Sequence, residues 1–160
     1  CTDVIKYKTA QLFAASCRSA ALLANAPTAI DSVLNAFGMN LGMAYQIVDD
    51  TLDYVADEAV TGKSIGDDLA EGKPTMPIVI AMEKADDASR EALKRAITQR
   101  DIEQVGSVID ILEKTDAIKA VLELGKSYIA KANEALEGLP KSVYRDSLEQ
   151  LTSFVIDRNF

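Results

Sequence analysis

From Thr28 to Asp57 the chain runs without a proline, and its apolar residues step by three or four: Ile30, Leu34, Phe37, Leu41, Ala44, Tyr45, Val48, Leu52 and Val55. That spacing gathers them on one stripe of a long helix, and such a stripe is stable only when other helices bury it. The remainder of the chain is written in the same period. Ala, Leu, Glu and Lys dominate and no segment sustains a period of two, so the expected fold is all-α. Breakers are few and grouped. Gly62, Gly66, Gly72, Pro74 and Pro77 mark one loop, and Gly138-Leu139-Pro140 marks a stop and restart. Helices are expected at 3–25, 28–57, 76–86, 88–98, 101–114, 116–137 and 141–157, within a single unit covering 1–160. Thr28 with Asp31 reads as a capping box using Asp in place of Glu, and Thr75 as the cap of the helix that Pro77 opens. Ile97, Ile102, Val105, Ile109, Leu112, Val121, Leu122 and Leu124 are the candidate core of the later helices. Tyr128 and Tyr144 read as packing residues.

Composition excludes several functions. Acids outnumber bases 25 to 17, for a formal charge of −8, and no Lys/Arg cluster stands out, so a nucleic-acid surface is not expected. Histidine is absent, which leaves no Ser–His catalysis and no histidine for a zinc site; Cys1 and Cys17 make no disulfide framework. The longest uncharged stretch, Ser32 to Val48, carries Asn35, Asn40 and Gln46 and is too short and polar for a membrane span. A reducing cytoplasm is the default location. With neither an initiator methionine nor a signal-peptide pattern, the chain is expected to begin inside a longer gene product.

The chemistry-bearing residues sit at the carboxyl end of the long helix. With Leu41 at zero, Asp49, Asp53, Gln46 and Asp50 fall at roughly 80°, 120°, 140° and 180°, so the acids begin beside the buried seam. Asp is a poor helix former, and the helix dipole disfavours anions at this end. Asp49 and Asp53 are i,i+4 neighbours whose repulsion is about 0.7 kcal/mol in water and about 3 kcal/mol at an effective dielectric of 20. A cation reverses that cost, because Mg²⁺ takes a few carboxylate oxygens with waters and substrate phosphates. From spacing alone, a metal site and an acidic solvated face both stay open. The glycine-hinged segment from Gly62 to Thr75 adds Lys63 and Lys73, point charges suited to diphosphate oxygens, although a solvated loop carries lysines equally well. Gly38 and Gly42, one to three turns before the acids, would let another helix or a ligand chain approach closely.

Taken together, Phe37-Gly38, Gly42, Gln46, Asp49-Asp50-Thr51-Leu52-Asp53, Gly62-Lys63 and Glu71-Gly72-Lys73-Pro74-Thr75-Met76-Pro77 resemble the second half of a trans-polyprenyl diphosphate synthase. Lys8-Thr9 resembles that family's Lys-Thr pair, Arg158 its basic tail, and the wording of 62–77 its long-chain, octaprenyl-type members. The resemblance implies the carboxy-terminal portion of an isoprenoid-synthase helical bundle. It implies a prenyltransferase that condenses isopentenyl diphosphate with an allylic diphosphate, for quinone side chains or other isoprenoids. The implied cofactor is Mg²⁺, with Mn²⁺ as a substitute. Asp49 would be the principal ligand, with Asp50 and Asp53 acting directly or through water and Gln46 supporting them. Lys8 and Lys63 would neutralise the allylic diphosphate, Lys73 would assist, and Thr9 would present oxygen to the developing cation. Gly38 and Gly42 would leave room for the growing chain. Asp67 matches a loop position that organises metal-bound water, whereas Asp86 and Asp87 read as turn and capping residues. The family's first aspartate-rich motif and its isopentenyl diphosphate site have no counterpart here. This stretch alone is therefore expected to be inactive, and a homodimer with further contacts to an amino-terminal half is expected. The intact acids favour this over a non-catalytic partner subunit of a heteromeric synthase. The Gly-Lys loop disfavours a terpene cyclase or squalene-synthase relative, and the whole 37–77 run a helical bundle with accidental acids.

Overall fold

The computed structural model describes residues 1–55 and 66–157. Its elements are α1 (Thr2–Ile5), a π-turn (Lys6–Ala10), α2 (Gln11–Leu23), α3 (Thr28–Val55), α4 (Asp67–Ala70), α5 (Met76–Lys84), α6 (Asp87–Gln99), a 3₁₀ turn (Ile102–Gln104), α7 (Val105–Lys114), α8 (Ala117–Leu136) and α9 (Val143–Ile156). No strand occurs among the described residues, so the all-α expectation holds. No described helix is long and apolar enough to cross a membrane. The expected helix 3–25 is interrupted by the π-turn that carries Lys8 and Thr9, and 101–114 opens as a 3₁₀ turn. Residues 56 and 57 of the expected long helix, Gly62, Lys63 and Arg158 lie outside the described residues.

The described residues divide into two compact units, one of residues 2–48 and 124–157, the other of Cys1 with the described residues between 49 and 123, the boundaries falling inside α3 and α8. In the first, Phe37, Leu41 and Ala44 of α3 pack with Ala132 and Leu136 of α8 and Val155 of α9. Phe13 and Tyr45 close its side with ring centroids 5.4 Å apart. Ala10, Ala14 and Ala21 are buried along one face of the first helical segment. Gly38 stands against Ala14, and Gly42 against Ala10. A Cβ at Gly38 would lie 2.6 Å from the Phe13 carbonyl oxygen and 2.9 Å from the Ala14 Cα, and one at Gly42 would lie 2.6 Å from the Ala10 Cα. The room expected there for a growing ligand chain is therefore filled by a helix, because small residues on both sides let the backbones meet. Asp31, expected in a capping box, accepts two bonds from the Arg18 guanidinium, at 3.0 and 3.1 Å.

In the second unit, Tyr54, Leu69, Ile78, Ala81, Leu93, Ala96, Val108, Leu112 and Ala117 form one buried cluster, with Ile97, Val105 and Ile109 against it. Ile102, expected in the core, is 44% exposed, since the 3₁₀ turn rotates it out of the α7 stripe. The single-stripe reading of α3 also needs correction. Met43, Ile47, Asp50, Thr51 and Tyr54 are buried on its other sides while Val55 is exposed, so the carboxyl half of α3 is enclosed on more than one face.

Two glycines give opposite stability expectations. Gly38→Ala forces the Cβ against backbone atoms and should lower stability by about 1–3 kcal/mol. A Cβ at Gly106 in α7 meets nothing within 4 Å. Gly106→Ala should raise stability by about 0.4–1 kcal/mol, by removing unfolded-chain freedom. Chemical denaturation of the two variants measures both.

Candidate functional site

The last turns of α3 carry Asp49, Asp50 and Asp53. Asp50 and Asp53 are 7% and 6% exposed, which removes the solvated-face reading for these two, and Asp49 is half-buried. A buried carboxylate must be answered by donors. The Asp68 backbone N–H donates to Asp53 Oδ2 at 3.1 Å, and the Gly66 N–H to the Asp53 carbonyl at 3.0 Å. The Met76 N–H, the first of α5, donates to Asp50 Oδ2 at 3.2 Å. The positive end of the α5 dipole thus faces an anion, which is the favourable polarity.

Local sequence explains how these donors arrive. Gly72 adopts a φ of 71°, Lys73 N–H donates to the Asp68 carbonyl and Gly72 N–H to that of Leu69, both at 2.9 Å. This is a Schellman stop, for which glycine is the natural residue, and Pro74 prevents any continuation. Thr75 N–H then donates to the Lys73 carbonyl at 3.0 Å, so the turn between α4 and α5 is bonded on both sides of Lys73. Thr75 holds the N-cap position of α5, as expected, but its side chain makes no capping bond. Its hydroxyl lies 3.3 Å from the Tyr54 hydroxyl, and Asp50 serves the helix start instead. Burial pushes the Tyr54 phenol well above the ordinary 10.0, with the nearby charges of Asp53, Asp68 and Asp50 adding to the shift. The Lys73 ammonium is held by Glu71 and, at 3.2 Å, by Asp68, and these bonds raise its pKa.

In the other unit, the Thr9 hydroxyl donates to Gln46 Oε1 at 2.8 Å. Lys8 is exposed on the π-turn, a helix irregularity common at functional sites. Lys63 falls outside the described residues. Asp86 caps α6 by accepting the Ser89 N–H at 2.8 Å, as its sequence context suggests. Among the described residues no group of three or more acid or thiol side chains converges to hold a metal. Mg²⁺ does not require that, since it is commonly held by one or two carboxylates with waters and phosphate oxygens, and the donors at 49–53 are of the oxygen type it prefers. Sequence reasoning passed over Asp68, Tyr54 and the Met76 N–H. A signal existed: a helix stop at Gly72-Lys73-Pro74 followed by Met76-Pro77 exposes fresh N–H groups that need an acceptor.

The chain is similar to known proteins over nearly all its length. A family model described as polyprenyl synthetase matches residues 2–115. The all-trans-nonaprenyl-diphosphate synthase (geranyl-diphosphate specific) of Rhodobacter capsulatus is 38% identical over 98% of this chain and 48% of its own length. The heptaprenyl diphosphate synthase component 2 of Bacillus subtilis is 36% identical over 98% of this chain and 44% of its own. The crystal structure of a polyprenyl synthase from Caulobacter crescentus, complexed with calcium and isoprenyl diphosphate, superimposes with a TM-score of 0.92 at 34% identity, covering 99% of this chain and 49% of that one. The chain spans about half the length of the curated relatives it matches.

Tyr54 yields a pH prediction. Its folded pKa is raised, so its contribution is fully present below the unfolded value of 10.0 and is lost as pH rises beyond it. Tyr54→Phe should cost about 0.5–1.5 kcal/mol at neutral pH, for the lost bond to Thr75. That deficit should shrink above pH 10, where the unfolded wild-type phenol ionises. Denaturation curves of both proteins from pH 7 to 11 measure the gap.

Proposed function

The chain belongs to the polyprenyl synthetase family, and on that premise we propose that it is the carboxy-terminal portion of a trans-prenyltransferase joining isopentenyl diphosphate to an allylic diphosphate. The allylic C–O bond breaks and its electron pair leaves on the diphosphate. The isopentenyl double bond attacks the allylic carbon, a C–C bond forms, and a proton is lost. The protein must therefore neutralise a departing polyanion and keep water from a carbocation.

Asp49 is the proposed leading metal ligand, with Asp50 and Asp53 acting directly or through water and Gln46 in support. Mg²⁺, or Mn²⁺ in its place, supplies charge neutralisation at the leaving oxygens when bound. Lys8 and Lys63 neutralise the allylic diphosphate and Lys73 assists. Thr9 turns oxygen toward the developing cation. The hydrogen bond to Gln46 supports that last role, because it directs the hydroxyl proton to the amide and leaves the lone pairs for the cation. The protein is proposed to be cytoplasmic and homodimeric, and to serve quinone side-chain or other isoprenoid synthesis. A relative named as one component of a heptaprenyl synthase keeps a heteromeric assembly as the second reading.

The observation that carries the proposal is the intact Asp49-Asp50-Thr51-Leu52-Asp53 run, two of whose carboxylates are buried against backbone donors, in a chain with this family match. In the full-length protein, Asp49→Ala should lower kcat/KM by about 100-fold or more and weaken Mg²⁺-dependent binding of a diphosphate analogue. Equal binding in titration calorimetry overturns the ligand assignment. Residues 1–160 alone should show no condensation in a radiolabelled isopentenyl diphosphate assay, and full-rate elongation would refute the half-site reading.

A further inference from the structure

Tyr54 follows Asp53 directly on the last turn of α3 and is 3% exposed. Its ring belongs to the buried cluster that includes Leu69, Ile78 and Leu93, so apolar packing holds the ring independently of its hydroxyl. That hydroxyl lies 3.3 Å from the hydroxyl of Thr75, which is itself buried. Thr75 occupies an N-cap position without making the side-chain bond that threonine ordinarily supplies there. Its side chain turns to α3 instead. Its backbone belongs to the lysine turn, because the Thr75 N–H donates to the Lys73 carbonyl at 3.0 Å. From the other side, the Lys73 N–H donates to the Asp68 carbonyl at 2.9 Å. Thr75 thus joins the backbone of Lys73 to a packed ring rooted one residue beyond the acidic run.

We infer that the Tyr54 and Thr75 hydroxyls form a clamp that sets the Lys73 turn against the end of α3, which makes both of them positioning residues for that lysine. The inference rests on the proposed part of Lys73 in holding diphosphate and deepens it. Lysine is a point charge on a flexible stem, so the oxygens it reaches depend on where its backbone is held. Misplacing such a group by about 1 Å is enough to weaken its action on a bound substrate. The clamp consists of one bond between two buried hydroxyls, each able to donate or accept. Phe keeps the packed ring of Tyr54 and Val keeps the outline of Thr75, so each substitution removes a hydroxyl and little else. Ser at 75 keeps the hydroxyl and removes only a methyl group.

The test is calorimetric binding of inorganic pyrophosphate, with Mg²⁺ present, to the full-length protein. It compares wild type, Tyr54→Phe, Thr75→Val, Thr75→Ser and Lys73→Met, and then Tyr54→Phe and Thr75→Val each combined with Lys73→Met. All are measured below the unfolding onset of the least stable variant, so that affinity reports placement and not unfolded protein. Tyr54→Phe and Thr75→Val should each weaken binding by about 3- to 10-fold, the size of one hydrogen bond's contribution. Thr75→Ser should keep the wild-type affinity. Both losses should vanish in the Lys73→Met background, because residues acting through one lysine are not additive with its removal. Wild-type affinity in Tyr54→Phe and Thr75→Val, with Lys73→Met weakened, overturns the clamp and leaves the diphosphate role of Lys73 standing. Losses that persist without Lys73, or a Thr75→Ser variant as weak as Thr75→Val, overturn the clamp as well. Wild-type affinity in Lys73→Met overturns the role that the proposed function gives this lysine, and the clamp falls with it.

Discussion

A carboxylate buried beside the start of a helix is the constraint on which the acidic unit turns. Asp50, 7% exposed, cannot remain charged there without a donor, and α5 cannot begin there without an acceptor for its first N–H. Each group supplies what the other lacks. The same exchange is repeated between Asp53 and the backbone of Asp68. Aspartates that look misplaced near the negative end of one helix are thus compensated by the positive ends of neighbouring segments. Their positions follow from backbone hydrogen bonding before any ligand is considered.

A different economy governs the other unit. There the long helix meets the preceding one through the loss of side chains: Ala10 and Ala14 stand against Gly42 and Gly38 at distances that leave no space for a Cβ. Close backbone approach brings Thr9 within 2.8 Å of Gln46, a bond joining two residues far apart in the chain. Small residues here position a polar pair, which is a use of glycine distinct from making room for a ligand.

Much of the secondary structure could be read directly. The expected 88–98, 116–137 and 141–157 helices appear at Asp87–Gln99, Ala117–Leu136 and Val143–Ile156, because long periodic runs between clear breakers leave little choice. The stop and restart at Gly138-Leu139-Pro140 falls between α8 and α9 as expected, whereas the short α4 lies inside the stretch expected as one loop. The burial of α3 was not legible, since a wheel scores apolarity and cannot register that Asp50, Thr51 and Asp53 would be enclosed once their donors arrived. Nor could it show that Ala10, Ala14 and Cys17, spaced as one helical face, are partners of Gly38 and Gly42. A stripe of small residues is silent until its mate is known.

By itself, then, the amino-acid order determined an all-helical chain, the places where its helices stop, and the acidic and lysine-bearing run that marks its family, because periodicity, capping and motif spacing are local properties. Only the tertiary structure decided which oxygen answers which N–H, that Thr75 turns to Tyr54 and leaves its helix to Asp50, and that the two glycines receive a helix. Those outcomes depend on groups distant in sequence competing for the same partners, and that competition is settled only when the chain is packed.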